Sequence, residues 1–126
     1  MVPVIRGVDT KTVREIDVEM KKLVEQAKNR TIAIELLRGG TFSLTNFGPF
    51  GGLYASPLIY PPQVAIIGVG RLHQEPMVQD GAISAAWVLP VSLAFDHRVV
   101  DGVPAASFIA YFLQLLSSPQ ELFVSV

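Results

Sequence analysis

Apolar residues recur at helical spacing near the start of the chain. From Asp9 to Asn29 they return every three or four positions, with lysine, arginine and glutamate between them. This pattern predicts an amphipathic helix. Thr12 and Glu15 have the spacing of a capping box, and Asp9 is a competing cap. A shorter helical turn is predicted at 33–37.

The middle of the chain changes to strand-type patterns. Polar and apolar residues alternate from Thr41 to Asn46, and the segment is rich in residues that favour strands. This pattern predicts a strand with Thr41, Ser43 and Thr45 on one face. Gln63 to Val69 is a nearly continuous apolar run. Such a run is typical of a strand that is buried on both faces.

A hairpin signal follows. Leu72 to Gln79 has the pattern of a more exposed strand, and Asp80-Gly81 is a strong two-residue turn signal. We expect Ala82 to Phe95 to return as one long strand. Pro90 should bend it, place it at a sheet edge or mark a bulge.

The last helical pattern is apolar on nearly all sides. Val103 to Ser117 has this pattern, which predicts a helix buried on most sides, between layers or between subunits. Ser118-Pro119 should end it, and Leu122 to Val126 is a candidate short strand. The mixture of strands and helices indicates an α/β (α+β) fold.

Composition adds a constraint on burial. The chain has 126 residues, of which 50% are hydrophobic and 17% charged, and its mean hydropathy is +0.43. A chain of this length forms one domain or part of one, and buries roughly two-thirds of its unfolded surface on folding. The surplus apolar surface is expected to meet a partner chain, a membrane or a missing piece of the same domain.

Charge and residue usage exclude several classes. The net charge is -1 and no basic stripe is present, which argues against nucleic-acid binding. The most apolar stretch is interrupted and too short for a spanning helix, so no membrane association is expected. Cysteine is absent, the two histidines are far apart in sequence, and no cluster of carboxylates could supply the remaining ligands, so we predict no disulfide and no metal site.

Two weaker motifs are expected to be structural. Gly68-Val69-Gly70 follows an apolar strand as in a dinucleotide-binding turn, but the third glycine is replaced by His73 and no helix pattern follows. A plain turn at the end of the strand is favoured. His73 itself is expected to be a solvent-facing histidine.

The segment from Asp96 to Gly102 carries the strongest chemical signal. It places His97 at a strand end beside two carboxylates and an arginine, just before a helix. An imidazole with an ordinary pKa of ~6.5 can accept a proton at neutral pH. The residues alone leave two interpretations open, a catalytic histidine or a structural one in a tight turn.

Three segments together resemble one family. DHRVVDG at 96–102, GGTFSLTNFGPFG at 39–51 and PPQVAIIGVG at 61–70 are similar to the catalytic domain of dihydrolipoamide acyltransferases, the core components of 2-oxo acid dehydrogenase complexes. VPVIRGVDTKTVREI at 2–16 fits the same family. The resemblance implies a two-layer sandwich like that of chloramphenicol acetyltransferase, with a mixed sheet covered by helices. Residues 1–126 would be the C-terminal portion of that domain, without its N-terminal half or the lipoyl and subunit-binding domains.

The resemblance also implies roles for individual residues. His97 corresponds to the catalytic base, Asp101 to a carboxylate that supports the site, and Thr45 to the hydroxyl that donates to the tetrahedral oxyanion. Asn46, Phe47 and Gly48 fall in a segment that lies near bound coenzyme A. The implied reaction is acyl transfer between dihydrolipoamide and coenzyme A, which is a substrate, with the lipoyl group carried on a separate domain.

Partners and location follow from the same resemblance. It implies a homotrimer, with a larger cubic or dodecahedral core left open, that works with decarboxylase and dihydrolipoamide dehydrogenase components. The implied compartment is the bacterial cytoplasm, or the mitochondrial matrix in a eukaryote. Two alternatives stay open: a non-catalytic, trimer-forming core fragment, and a chloramphenicol-type O-acetyltransferase.

Overall fold

The computed structural model describes residues 1–120, which belong to two compact units. Phe42–Ala110 forms one unit, and Met1–Thr41 forms the other with the residues from Tyr111 onward. The strand predicted at Leu122 to Val126 lies outside the described residues.

Helix α1, Val13–Lys28, is the main element of the unit that contains the N-terminus. The predicted capping box is confirmed: the Glu15 N–H donates to the Thr12 hydroxyl at 3.3 Å, and the Thr12 N–H donates to the Glu15 carboxylate at 2.8 Å. The predicted start at Asp9 is wrong, because Val8–Thr10 forms a separate 3-10 helix. Thr12 has the extended backbone that a capping residue needs, so the α-helix begins after it.

The predicted short helical turn is confirmed in the same unit. Ile34–Leu37 forms a 3-10 helix. The Val4 N–H donates to the Leu36 carbonyl at 2.8 Å, and the Arg6 guanidinium donates to the Glu35 and Arg38 carbonyls. These bonds attach the N-terminal segment to the turn.

A three-stranded sheet forms the centre of the other unit. Its strands are β1 (Ser43–Asn46), β2 (Ala65–Val69) and β5 (Val91–Phe95), in the order β1-β2-β5. β1 runs parallel to β2, and β5 runs antiparallel to it. The predicted burial of the central strand is confirmed, since Ile67 has only 1% of its surface exposed.

A separate two-stranded sheet contains the predicted hairpin. β3 (His73–Gln79) and β4 (Ala82–Val88) are antiparallel. Asp80 and Gly81 both have positive φ, at 51° and 80°, as a type I′ turn requires.

The single long strand predicted from Ala82 to Phe95 is wrong. It divides at Pro90 into β4, which pairs with β3, and β5, which pairs with β2. Proline has no N–H to continue a ladder. The Pro90 carbonyl instead accepts a hydrogen bond from the Gly70 N–H at 2.8 Å.

Gly68 in β2 and Gly70 directly after it allow the segment that contains Phe47 and Leu53 to pack closely. A Cβ on Gly70 would lie 2.1 Å from the Leu53 carbonyl oxygen, and one on Gly68 would lie 2.7 Å from the Phe47 ring. The segment that follows them leads into β3 rather than a helix. Gly68-Val69-Gly70 therefore lies at a strand end, as predicted, and residues 70–72 link the two strands without a regular turn.

Helix α2, Gly102–Ser117, ends at Ser118-Pro119 as predicted. Within this single chain α2 is not buried on most sides, and its burial between subunits stays a prediction. Ala105 is buried and the Phe108 ring contacts the Phe42 ring at 5.6 Å, but Val103 is 77% exposed. Apolar side chains are more stable when they are buried, but the described residues supply too little surface to cover this helix.

The described elements confirm a mixed α/β fold. In the part of the chain that the structure covers, no helix is long and apolar enough to cross a membrane.

Candidate active site

The turn after β5 is organised by Asp96. Its N–H donates to the Val64 carbonyl at 2.8 Å, which attaches the turn to the segment before β2. Its own carbonyl accepts from the N–H groups of Val99 and Val100, at 3.0 and 2.9 Å. His97 therefore occupies a defined turn, as the strand-end position in the sequence predicts.

The Asp96 carboxylate is also the acceptor for Arg98. One oxygen accepts from the Arg98 N–H at 3.0 Å and from Nε at 2.9 Å, and the other accepts from Nη2 at 2.6 Å. The side-chain and backbone hydrogen bonds from Arg98 lower the pKa of Asp96 to about 2. Asp96 is consequently ionised at neutral pH and paired with a cation.

The His97 ring is exposed and lies beside an aromatic neighbour. Its centroid is 5.5 Å from that of Phe95. Within residues 1–120, no hydrogen bond or ion pair involves its ring nitrogens. Asp101 is exposed at the start of α2, and its carbonyl accepts from the Ala105 N–H. Both side chains are thus available to a ligand or to another chain.

Thr45 and Ser43 lie on one face of β1 but have different surroundings. Ser43 is buried, and its hydroxyl donates to Gln63 Oε1 at 2.7 Å. Thr45 is half-buried, and its hydroxyl has no hydrogen bond among the described residues. Of the hydroxyls predicted on this face, Ser43 has a structural partner and Thr45 remains available.

Asn46, Phe47 and Gly48 shape the end of β1. The Asn46 Oδ1 accepts from the Gly48 N–H at 3.0 Å, and the Phe47 N–H donates to the Val69 carbonyl at 3.0 Å. A Cβ on Gly48 would lie 2.7 Å from the Gly70 carbonyl oxygen. These local roles were missed in the sequence, and coenzyme A binding by the three residues stays a prediction.

The register of the sheet separates Thr45 from His97 within one chain. Thr45 lies opposite Gly68, which lies opposite Ser92, whereas Phe95 at the other end of β5 lies opposite Ala65. Three residues of strand are ~10 Å, and two strand spacings are another ~10 Å. Since His97 lies beyond Phe95, one chain places the hydroxyl and the imidazole at opposite ends of the sheet.

His73 differs from its prediction as a solvent-facing histidine. Its side chain is only 16% exposed, and its ring bridges the Arg71 carbonyl at 3.0 Å and a Glu75 carboxylate oxygen at 2.6 Å. These two hydrogen bonds raise the pKa of His73, the bond to Arg71 contributing most. Residues i and i+2 of a strand share a face, so Glu75 lies beside His73 and covers its ring.

The described residues contain no group of three histidine, cysteine, aspartate or glutamate side chains that could hold a metal ion.

Comparison with known families agrees with the motifs. The model of the 2-oxoacid dehydrogenases acyltransferase (catalytic domain) family matches residues 1–124. The chain belongs to this acyltransferase family. Among its relatives, the dihydrolipoyllysine-residue acetyltransferase component of the pyruvate dehydrogenase complex from Staphylococcus epidermidis is 39% identical over 122 residues. That match covers 97% of this chain and 28% of the relative.

Solved structures of acyltransferase cores share the fold. A dihydrolipoamide acetyltransferase of Azotobacter vinelandii superposes with a TM-score of 0.89 at 34% identity, over 96% of this chain and 50% of that chain. A probable dihydrolipoamide acetyltransferase from Listeria monocytogenes gives a TM-score of 0.84 at 32% identity, over 87% of this chain and 47% of that one. The chain thus spans about half the length of these solved chains.

Proposed function

We propose that this chain contributes to an acyltransferase site that moves an acyl group between dihydrolipoamide and coenzyme A. His97 acts as the general base and the Thr45 hydroxyl stabilises the oxyanion. Asp101 supports the site, and Asn46, Phe47 and Gly48 lie along the coenzyme A path. Family membership and the availability of the His97 and Thr45 side chains support this proposal.

The spacing of the three candidate residues carries the assignment. The study of the Azotobacter vinelandii enzyme concerns the role of a serine, a histidine and an asparagine in its catalytic mechanism. In that enzyme the serine lies 52 positions before the histidine, and the asparagine lies four positions after it. Thr45, His97 and Asp101 have the same spacing, with threonine in place of serine and aspartate in place of asparagine.

The chemistry follows from these residue types. A thiol with a pKa of ~8.5 is mostly protonated at neutral pH, so His97 takes the proton from coenzyme A as its sulfur attacks the thioester carbonyl. The carbonyl oxygen gains negative charge in the tetrahedral intermediate, to which the Thr45 hydroxyl donates. Collapse breaks the bond to the dihydrolipoamide sulfur, and that sulfur receives the proton from His97. Loss of one oxyanion donor typically costs about 2.7–4 kcal/mol.

The separation of Thr45 and His97 implies a site between chains. Because one chain holds the two groups at opposite ends of its sheet, His97 of one protomer must meet Thr45 of another. A cyclic trimer repeats that contact three times. Assembly into a larger core is consistent with the cubic core of the pyruvate dehydrogenase multienzyme complex, which has the same fold at a TM-score of 0.89.

A non-catalytic role in trimer assembly is the second candidate. The chain matches about half of each solved core, and α2 presents apolar side chains such as Val103 and Tyr111 to solvent. These observations favour a module that packs against other chains. Such a module would assemble normally and would show no acyl transfer that depends on His97.

An assay of mixed protomers tests the proposal. The native chain, His97→Ala and Thr45→Val are each assayed for acyl transfer from acyl-coenzyme A to dihydrolipoamide. We expect losses of about 10²- to 10⁴-fold for His97→Ala and about 10²- to 10³-fold for Thr45→Val. Trimers reassembled from equal amounts of the two variants should regain about a quarter of native activity, the share of sites that pair two intact residues.

Each other outcome has a defined meaning. Equal rates for the native chain and His97→Ala would remove His97 as the base. Two impaired variants without recovery on mixing would place the site within one chain. Acetylation of an antibiotic hydroxyl without any lipoamide-dependent transfer would identify the chloramphenicol-type reaction instead.

A further inference from the structure

The ring of Phe47 lies in a space that two glycines leave open. A Cβ on Gly68 would lie 2.7 Å from Phe47 Cε1, and a Cβ on Gly52 would lie 2.8 Å from Phe47 Cδ2, on the opposite side of the ring. Neither glycine has a positive φ. Space for the ring, and not backbone conformation, therefore requires glycine at both positions.

The ring covers the face of the sheet that carries the Thr45 side chain. Thr45 lies opposite Gly68 in the parallel pair of β1 and β2, and residues side by side in a sheet present their side chains to the same face. Adjacent strands are ~4.8 Å apart. Because the ring fills the place of a Gly68 side chain, it lies about one strand spacing from the Thr45 side chain.

Phe47 supplies apolar surface beside Thr45 on this face. Along β1, Ser43 is buried and its hydroxyl is bonded to Gln63. Across the pair, Gly68 has no side chain of its own. Phe47 is half-buried, and its N–H donates to the Val69 carbonyl at 3.0 Å, which fixes the backbone that carries the ring.

We infer that the Phe47 ring limits the size of the acyl group, an inference that rests on the proposed role of Thr45 as the oxyanion donor. A carbonyl oxygen that accepts from the Thr45 hydroxyl at ~2.8 Å places the first carbon of the acyl group within ~5 Å of that hydroxyl. The ring lies at a similar distance, so an acyl chain that extends over β2 meets it. An acetyl group fits beside the ring, whereas a longer or branched acyl group collides with it.

The preference between two acyl donors tests this role. The native chain and Phe47→Ala are assayed with acetyl-coenzyme A and isovaleryl-coenzyme A as donors and dihydrolipoamide as acceptor. Removal of the ring should raise the ratio of kcat/KM for isovaleryl to that for acetyl by about tenfold or more, because a pocket wall discriminates by about that factor for each methylene. Phe47→Leu, which keeps most of the apolar volume, should raise the ratio about threefold and carries the test should Phe47→Ala not fold.

Two further variants separate the ring itself from a general loosening of the loop. Phe50 is the same residue type three positions on and is 91% exposed, so Phe50→Ala should leave the ratio unchanged. Gly68→Ala combined with Phe47→Ala places a methyl group where the ring was, and the ratio should fall back towards the native value. Urea unfolding checks the contact: Gly68→Ala should lower the midpoint more in the native chain than in Phe47→Ala.

The possible results distinguish this role from the proposed function. An unchanged ratio in Phe47→Ala and Phe47→Leu would overturn the role of Phe47 and leave acyl transfer intact. An equal change of the ratio in Phe50→Ala would overturn it as well, because loop stability would then set the preference. A native chain that transfers neither acyl group would overturn the proposed function and the role of Phe47 together.

Discussion

The two sheets of the unit Phe42–Ala110 are held together in different ways. The three-stranded sheet joins β1, β2 and β5, which are distant in sequence, around the buried Ile66 and Ile67. The hairpin sheet joins two consecutive strands through a two-residue turn. Its apolar side chains stay exposed, with Ile83 at 79%. Burial stabilises the first sheet, and local turn chemistry specifies the second.

This difference shows how to interpret an apolar strand in a sequence. The central strand β2 and the hairpin strand β4 are both apolar, and only β2 is covered by its own chain. The hydrophobic effect favours the removal of apolar surface from water by any neighbour, including another subunit. The exposed apolar residues of β4 and α2 are surface of this kind, and in the proposed assembly another chain would cover it.

The largest expected effect is the loss of stability when a buried isoleucine is truncated, compared with the same truncation in the hairpin. Ile67→Ala should lower the free energy of unfolding by about 2–5 kcal/mol, because it leaves a cavity in the three-stranded sheet. Ile83→Ala in the hairpin should cost less than about 1 kcal/mol, which reflects strand preference alone. Urea denaturation followed by circular dichroism measures both. Equal losses would show that the hairpin face is buried in the isolated chain.

A second pair compares glycines that are required for different reasons. Gly70 avoids a clash with the Leu53 carbonyl, whereas Gly81 has open space around it and a φ of 80°. Gly70→Ala should cost about 1–3 kcal/mol, and Gly81→Ala about 1–2 kcal/mol.

Asparagine distinguishes the two causes. Because asparagine tolerates the left-handed region, Gly81→Asn should restore most of the stability lost in Gly81→Ala. Gly70→Asn should be at least as unstable as Gly70→Ala, since its side chain is larger. The unfolding midpoints of the four variants distinguish a glycine required for packing from one required for its backbone conformation. Rescue at position 70 would mean that backbone conformation, not packing, requires that glycine.

The smallest effect is a pH dependence confined to the hairpin. His73 has a raised pKa in the folded chain, so its contacts stabilise fully below the unfolded value of ~6.5. That stabilisation is lost as the pH rises through the folded pKa. Amide hydrogen exchange, corrected for intrinsic rates, should show protection of β3 and β4 falling across this range.

The control for this prediction is His73→Gln. Protection of the hairpin should then be independent of pH, and β1, β2 and β5 should be unaffected in both proteins. A native pH dependence that persists in His73→Gln would assign the titration to another group.

Local sequence determined the features that depend on neighbouring residues. The capping box of Thr12 and Glu15, the turn at Asp80 and Gly81, and the strand-end position of His97 are all confirmed, because each requires only a few adjacent residues. Family motifs added the candidate roles of His97, Asp101 and Thr45. The apolar run around Ile67 also predicted its own burial.

Tertiary structure alone decided which segments meet. The division of the predicted long strand at Pro90, the His73 bridge to Glu75, and the Ser43–Gln63 bond depend on pairing and register. Register also set Thr45 and His97 at opposite ends of one sheet. The motifs identify both residues. Their separation follows from strand order, which arises from contacts between segments far apart in the chain.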